Sequence, residues 1–422
     1  MSKDFWAHLL AKNKTMKKTV SIVFLLLNCL IYINAQTFNA DEVAKIKTFL
    51  TQASSEEGKK NFEQLGITNI ESVDWSAING LNWNASGNLR TILWASKKLS
   101  GNLDISGFTE LRKVHCEYNT LQSINVTGCT NLSYMDCYNN ELTTIDLTTN
   151  ANLDSFCCRY NKLKEIDLTK NTKLIYFCGS GNQFESFNLS NNPELTTFYC
   201  ANNRLKSIDF SRNPKLRHTY LRTNQLTSLD FSKNNKLEYI TCYQNKLETL
   251  NFSGCSVLKH IECYENQIKT LNLAGCSELE YMTCRDNVLT ELDVSDSPKL
   301  ITLTCQNNQL KTLIIKTTKM ETLFCEGNQL TLSNLPVIKS IDDYTYIPQT
   351  TSVSVSYPVD NIDLKNEYLI DGIPSEFTWT DKNNTPVIPM KNENGIFEID
   401  KSYLGNTLTC KITNEKFPDL TT

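Results

Sequence analysis

Apolar residues between positions 89 and 336 recur in one frame, LxxLxCxxNxL followed by xxLDLSxNxx, with polar residues at nearly every remaining place. LTTFYCANNRLKSIDFSRNPK and LEYITCYQNKLETLNFSGCSV are two full copies. Asparagines mark the period at Asn119, Asn140, Asn161, Asn182, Asn203, Asn224, Asn245, Asn266, Asn287 and Asn308, each 21 residues after the last, with Asn328 one residue early. A degenerate copy starts at Leu89 and carries Lys97 in the asparagine place. About twelve units result. In triplets such as VHC, FCC and ITC the residues alternate between inward and outward, as a strand requires. One unit cannot bury its apolar face alone, so the units must stack at the strand spacing, about 4.8 Å. The pattern predicts a parallel-sheet solenoid roughly 55 Å long.

The frame resembles the leucine-rich repeat motif LxxLxLxxN/CxL, and its nested second LxxLDL is similar to the bacterial repeats called IRREKO. The likeness covers Leu89 to about Leu335 and departs in one respect, since the third leucine is usually cysteine here. It implies a mostly β fold (α+β, with a helical cap), bacterial surface or internalin-like relatives, and a concave sheet face that binds partners.

The period sorts most of the sixteen cysteines. Cys116, Cys137, Cys158, Cys200, Cys242, Cys263, Cys284, Cys305 and Cys325 take the inward slot, which Gly179 and Leu221 fill in other turns. A slot that accepts Leu is a packing slot, and a free Cys behaves there as a small hydrophobe. Cys129, Cys255 and Cys276 stand where other units have Asn150, Asn171 or Asn213, and are structural too. Cys157 and Cys178 precede the inward slot on adjacent units and face outward. They are a candidate disulfide pair, two idle thiols, or the basis of a metal or catalytic role.

Outside the array, ADEVAKIKTFL places Val43, Ile46, Phe49 and Leu50 on one helical face, and Trp75 and Trp83 follow. Residues 38–88 are expected to cap the solenoid. Residues 345–422 lose the period. TSVSVSYPV, SEFTWTDK, GIFEI and NTLTCKIT alternate like strands of a β-sandwich of immunoglobulin type, minimal or cut short, with Trp379 and Cys410 as its core pair. Residues 16–35, MKKTVSIVFLLLNCLIYINA, have the charged, apolar and small-residue order of a secretory signal, so export to the surface or medium is expected. The mature chain has no membrane span in this reading.

Forty-two basic against 46 acidic residues leave no cationic excess for a nucleic-acid partner. No GxSxG, HExxH or phosphate loop occurs, so no catalytic residue, metal ligand or cofactor is assigned. The Asp/Asn column from Asp104 to Asp293 fits turn hydrogen bonds better than calcium. Eleven of seventeen tyrosines and three of four histidines fall in outward columns of the first strand. His218, Tyr220, Arg222, Tyr239, Tyr243, His260, Tyr264, Tyr281 and Arg285 are the candidate binding residues for a protein or glycan. The alternative is an envelope spacer whose rings only brace the sheet.

Overall fold

The computed structural model describes residues 37–337, 341, 343–347, 362–403 and 408–417. The expected secretory signal at 16–35 and the TSVSVSYPV run lie outside the described residues.

Twelve parallel three- to five-residue strands, from Leu89–Leu93 to Thr322–Phe324, line up as one sheet. Each residue pairs with its equivalent one unit on, as in Tyr239↔His260 and His260↔Tyr281. Past the last predicted repeat, Asp343–Thr345 adds a further parallel strand against Thr322–Phe324. Second strands such as Ser228–Asp230, Thr249–Asn251 and Thr270–Asn272 form smaller parallel sheets on the other wall.

Buried asparagines tie the stack together. Asn161 donates from Nδ2 to the carbonyls of Cys158 in its own turn and Cys137 in the turn before, both at 3.0 Å. Its Oδ1 accepts from the Leu142 amide at 3.0 Å. Bends whose backbone groups would be orphaned inside the core are satisfied in this way, turn after turn. A second ladder runs on the far side, where Asn171 Nδ2 reaches Leu147 and Asn150 carbonyls at 3.1 and 2.9 Å. Cys129 and Cys255 keep that role with a thiol, donating to the Ile105 and Phe231 carbonyls at 3.0 and 3.4 Å.

The nine inward cysteines are buried, and burial pushes their thiols up, Cys284 and Cys325 to about 12. Gly179 is empty for a reason of packing. A Cβ there would stand 2.7 Å from the Phe177 ring and 2.9 Å from that of Phe184, so two rings already occupy the slot. The acidic column closes turns: Asp146 Oδ1 accepts from the Thr148 amide and hydroxyl at 2.9 and 2.6 Å, and Asp167 does the same with Thr169.

The cap helix, Ala40–Leu50, is started by Asn39, whose Oδ1 accepts from the amides of Asp41 and Glu42. Ile46, Phe49 and Leu50 are buried as the spacing predicts. Val43 is only half-buried, and Glu42 takes the inner place. Its carboxylate accepts from the Leu89 amide at 2.6 Å, satisfying the exposed start of the first unit. Phe49 stacks at 5.7 Å on Trp94, which fills the cysteine slot of that unit.

At the other end lie two three-stranded sheets and one two-stranded sheet. Glu376–Asp381 pairs antiparallel with Leu408–Thr413, which sets buried Trp379 opposite the half-buried Cys410. Phe417 packs on Tyr344 and Tyr346 at 6.4 and 5.4 Å, and Glu367 accepts from the Ser333 amide at 2.9 Å. These contacts join the C-terminal sheets to the last turns. Among the described residues no helix is long and apolar enough to cross a membrane.

Candidate recognition surface

The outward residues of the main sheet form three columns, because each turn repeats the same strand one spacing further on. In the first, Tyr239, His260 and Tyr281 stack face to face, with ring centroids 4.2 and 4.3 Å apart and planes within 9° and 8°. Among the described residues His218 continues this column without a ring partner, and it lies 3.5 Å from Glu238. In the second, Tyr220 stacks on Tyr199 at 4.1 Å and turns its edge to Tyr239 at 5.6 Å. In the third, Tyr243 and Tyr264 stack at 4.2 Å, with Arg222 over the first ring at 5.6 Å and Arg285 over the second at 4.3 Å. All nine sequence-predicted residues therefore share one face, each half-buried.

Two features of this face escape the sequence analysis. Successive rings lie parallel to one another, so inside the stacks they cover each other's faces and leave their edges for a partner. Second, Arg285 is not a free positive charge. It pairs with Asp286 and with Glu265 at 3.4 Å, while Arg222 donates to the Tyr243 hydroxyl at 2.9 Å. A carboxylate stands at the centre instead: Glu262, in the column of Tyr220, lies 3.0 Å from His260 Nε2. Its place two 21-residue periods after Tyr220 was the signal that would have found it.

Burial pushes the Tyr239 and Tyr264 hydroxyls up to about 12, with Glu262 adding to both shifts, so they remain neutral donors at physiological pH. His218 moves the other way. Burial holds it below the usual imidazole range, against the pull of Glu238 and with a further push from Arg217. His218 therefore charges at a lower pH than an ordinary imidazole. Its folded value lies below the unfolded one, so the unfolded chain binds the extra proton first and stability falls as pH drops below about 6.5. Denaturant midpoints from pH 7.5 to 5 should show a small loss that His218→Gln removes. An unchanged slope in that variant would assign the loss to other groups.

A smaller cluster sits toward the N-terminal end. Tyr118, Tyr138 and Tyr160 contact at 4.7 and 5.5 Å, and Arg159 lies 4.7 Å over the Tyr160 ring. Tyr118 and Tyr160 hold φ of 56° and 50°, a left-handed backbone that bulky residues rarely adopt, and both stay exposed. Among the described residues no group of three or more His, Cys, Asp or Glu is placed to hold a metal ion.

No family model and no curated protein sequence matches the chain. Solved structures do. The functional domain of InlJ from Listeria monocytogenes, which includes a cysteine ladder, superposes with a TM-score of 0.50 at 19% identity, over 79% of this chain and 92% of that one. An internalin, inlF, from Listeria monocytogenes str. 4b F2365 does so with a TM-score of 0.50 at 21% identity, over 71% and 85%. The fold is the leucine-rich repeat solenoid. In this leucine-rich repeat chain the inward thiols from Cys116 to Cys325 are likewise a ladder, and the stacked rings occupy the opposite side of the same strands.

Proposed function

We propose that the protein is an exported, non-catalytic recognition protein whose concave face, centred on Tyr239, Tyr243, His260 and Tyr264, binds a protein ligand. The observation that carries this reading is the pair of ring stacks, which fix large side chains in place before any ligand arrives and so reduce the entropy lost on binding. A glycan is less well served. Sugar rings pack on aromatic faces, and the inner faces here are taken by neighbouring rings, whereas edges, hydroxyls and the Glu262 carboxylate suit side chains and backbone of a protein. The signal at 16–35 supports secretion or surface display, and the C-terminal sheets support an immunoglobulin-like module. The spacer reading draws on the same stacking, since such pairs also stabilise a sheet by up to about 1 kcal/mol each.

Hydrogen exchange with a ligand captured from the native surroundings tests the proposal. Added protection is expected in the strands His218–Tyr220, Tyr239–Thr241, His260–Glu262 and Tyr281–Thr283. Protection confined to the C-terminal sheets would move the site there.

A further inference from the structure

Cys157 and Cys178 are the two described cysteines that face out of the main sheet, on the adjacent strands Ser155–Cys157 and Tyr176–Cys178. They are direct register partners, so their Cα atoms stand about one strand spacing, 4.8 Å, apart, inside the range a disulfide spans. Both are free thiols, and each shifts the titration of the other. Tyr176, Ser180 and Arg159 also favour the charged form of Cys178. Cys157 is half-buried and reachable, whereas Cys178 is 5% exposed.

We propose that Cys157 and Cys178 form a dithiol site that exchanges with small organic disulfides, closing reversibly to a Cys157–Cys178 bridge.

The surroundings divide the labour. The interaction between the two thiols lowers Cys178 below its usual range and, together with burial, pushes Cys157 up. The negative charge of the pair thus rests on Cys178 and the exposed sulfur keeps the proton. When a disulfide RS–SR arrives, Cys157 gives its proton to the Cys178 thiolate as its own sulfur attacks. A Cys157–SR bond forms and RS⁻ leaves. Cys178 then passes that proton to RS⁻ and attacks the Cys157 sulfur, displacing a second RS⁻, which takes a proton from water. Two electrons have moved from the thiol pair to the S–S bond, and two RSH have been made. The bridge is expected to reopen readily. Side chains in register on parallel strands project the same way, so their Cβ atoms are held near the strand spacing rather than at the roughly 3.8 Å a relaxed disulfide prefers. Strained disulfides have the more oxidising potentials. The inward ladder has no such chemistry, because its thiols, Cys137 and Cys158 among them, are wholly buried where no disulfide can reach them.

The test uses the full reduced protein with oxidised glutathione at pH 7.5, followed by iodoacetamide and non-reducing peptide mapping, with fragmentation separating Cys157 from its neighbour Cys158. Two glutathione thiols released per chain and a Cys157–Cys178 crosslink are expected. Cys178→Ser should trap glutathione on Cys157 as a mixed disulfide, and Cys157→Ser should react at least tenfold more slowly than wild type. Circular dichroism of each variant checks the fold. The wild-type result decides even where a variant fails to fold. Both thiols alkylated after the glutathione treatment, or a crosslink to a ladder cysteine, would overturn the site. A Cys178→Ser chain that folds and gathers no mixed disulfide would overturn the order of attack.

Discussion

Cys263→Asp is expected to abolish cooperative folding of the central turns, while Cys263→Leu leaves the solenoid intact. Cys263 is fully buried between Cys242 and Cys284, and its carbonyl accepts from the side-chain amides of both Asn266 and Asn287 at 3.1 Å. A carboxylate in that slot stands between the buried Cys242 and Cys284, cut off from water. Burying such a charge costs several kcal/mol even after relaxation, against about 5–15 kcal/mol for a typical domain. The damage reaches both neighbouring turns, because each interface in a stacked array is shared. Leucine carries no such cost. Leu221 fills the equivalent slot two units earlier and is itself fully buried, so the substitution should lower stability by no more than about 1–3 kcal/mol of overpacking. Urea unfolding followed by circular dichroism checks both. An aspartate variant that melts like wild type would place this column at the surface and reverse every inward and outward assignment along the strands.

Most of the solenoid was legible because one relation, residue i beside residue i+21, generates the sheet, both asparagine ladders and the shared face of His218, Tyr239, His260 and Tyr281. What the period does not encode was lost. Glu42 looks like an ordinary first-turn acid, and its buried bond to the Leu89 amide depends on where the cap helix docks. Gly179 reads as a deletion in the cysteine column, although two phenylalanines from neighbouring positions fill the space. Asp343–Thr345 joins the sheet after a stretch that carries no LxxLxC frame, so pairing with Thr322–Phe324 outweighs the missing motif. Arg285 shows the limit for the site: columns reveal which residues share a face but not that Asp286 and Glu265 neutralise one of them. Ring orientation is lost for the same reason. A row of tyrosines can offer faces or edges, and the interplanar angles near 10° settle which.

That orientation fixes the expected result of changing Tyr239, Tyr243 and Tyr264 together to alanine: ligand affinity should fall at least a hundredfold while the fold survives. The three rings belong to two stacks, so removing them strips His260 of one ring partner and leaves Arg222 and Arg285 without the rings they cover. Each ring is half-buried and none fills the core between the walls, so the loss to stability is limited to side-chain pairs worth about 0.2–1 kcal/mol apiece. Binding loses far more. The best single position is expected to cost about 1–3 kcal/mol, and the others less, because anchors act unevenly. Tyr264 is the strongest candidate, since it sits between Tyr243 and Arg285 and near the Glu262 charge. Titration calorimetry with the captured ligand reads the affinity, and thermal melting of the same samples reads the fold. Full affinity in the triple variant would exclude this face and turn attention to the C-terminal sheets. Unchanged binding together with a much lower melting temperature would mean that the stacks brace the sheet, which is the spacer reading. Lost binding with a near-normal melt is the result the edge-on stacks predict, because their contribution is to hold hydroxyls and ring edges still for a partner.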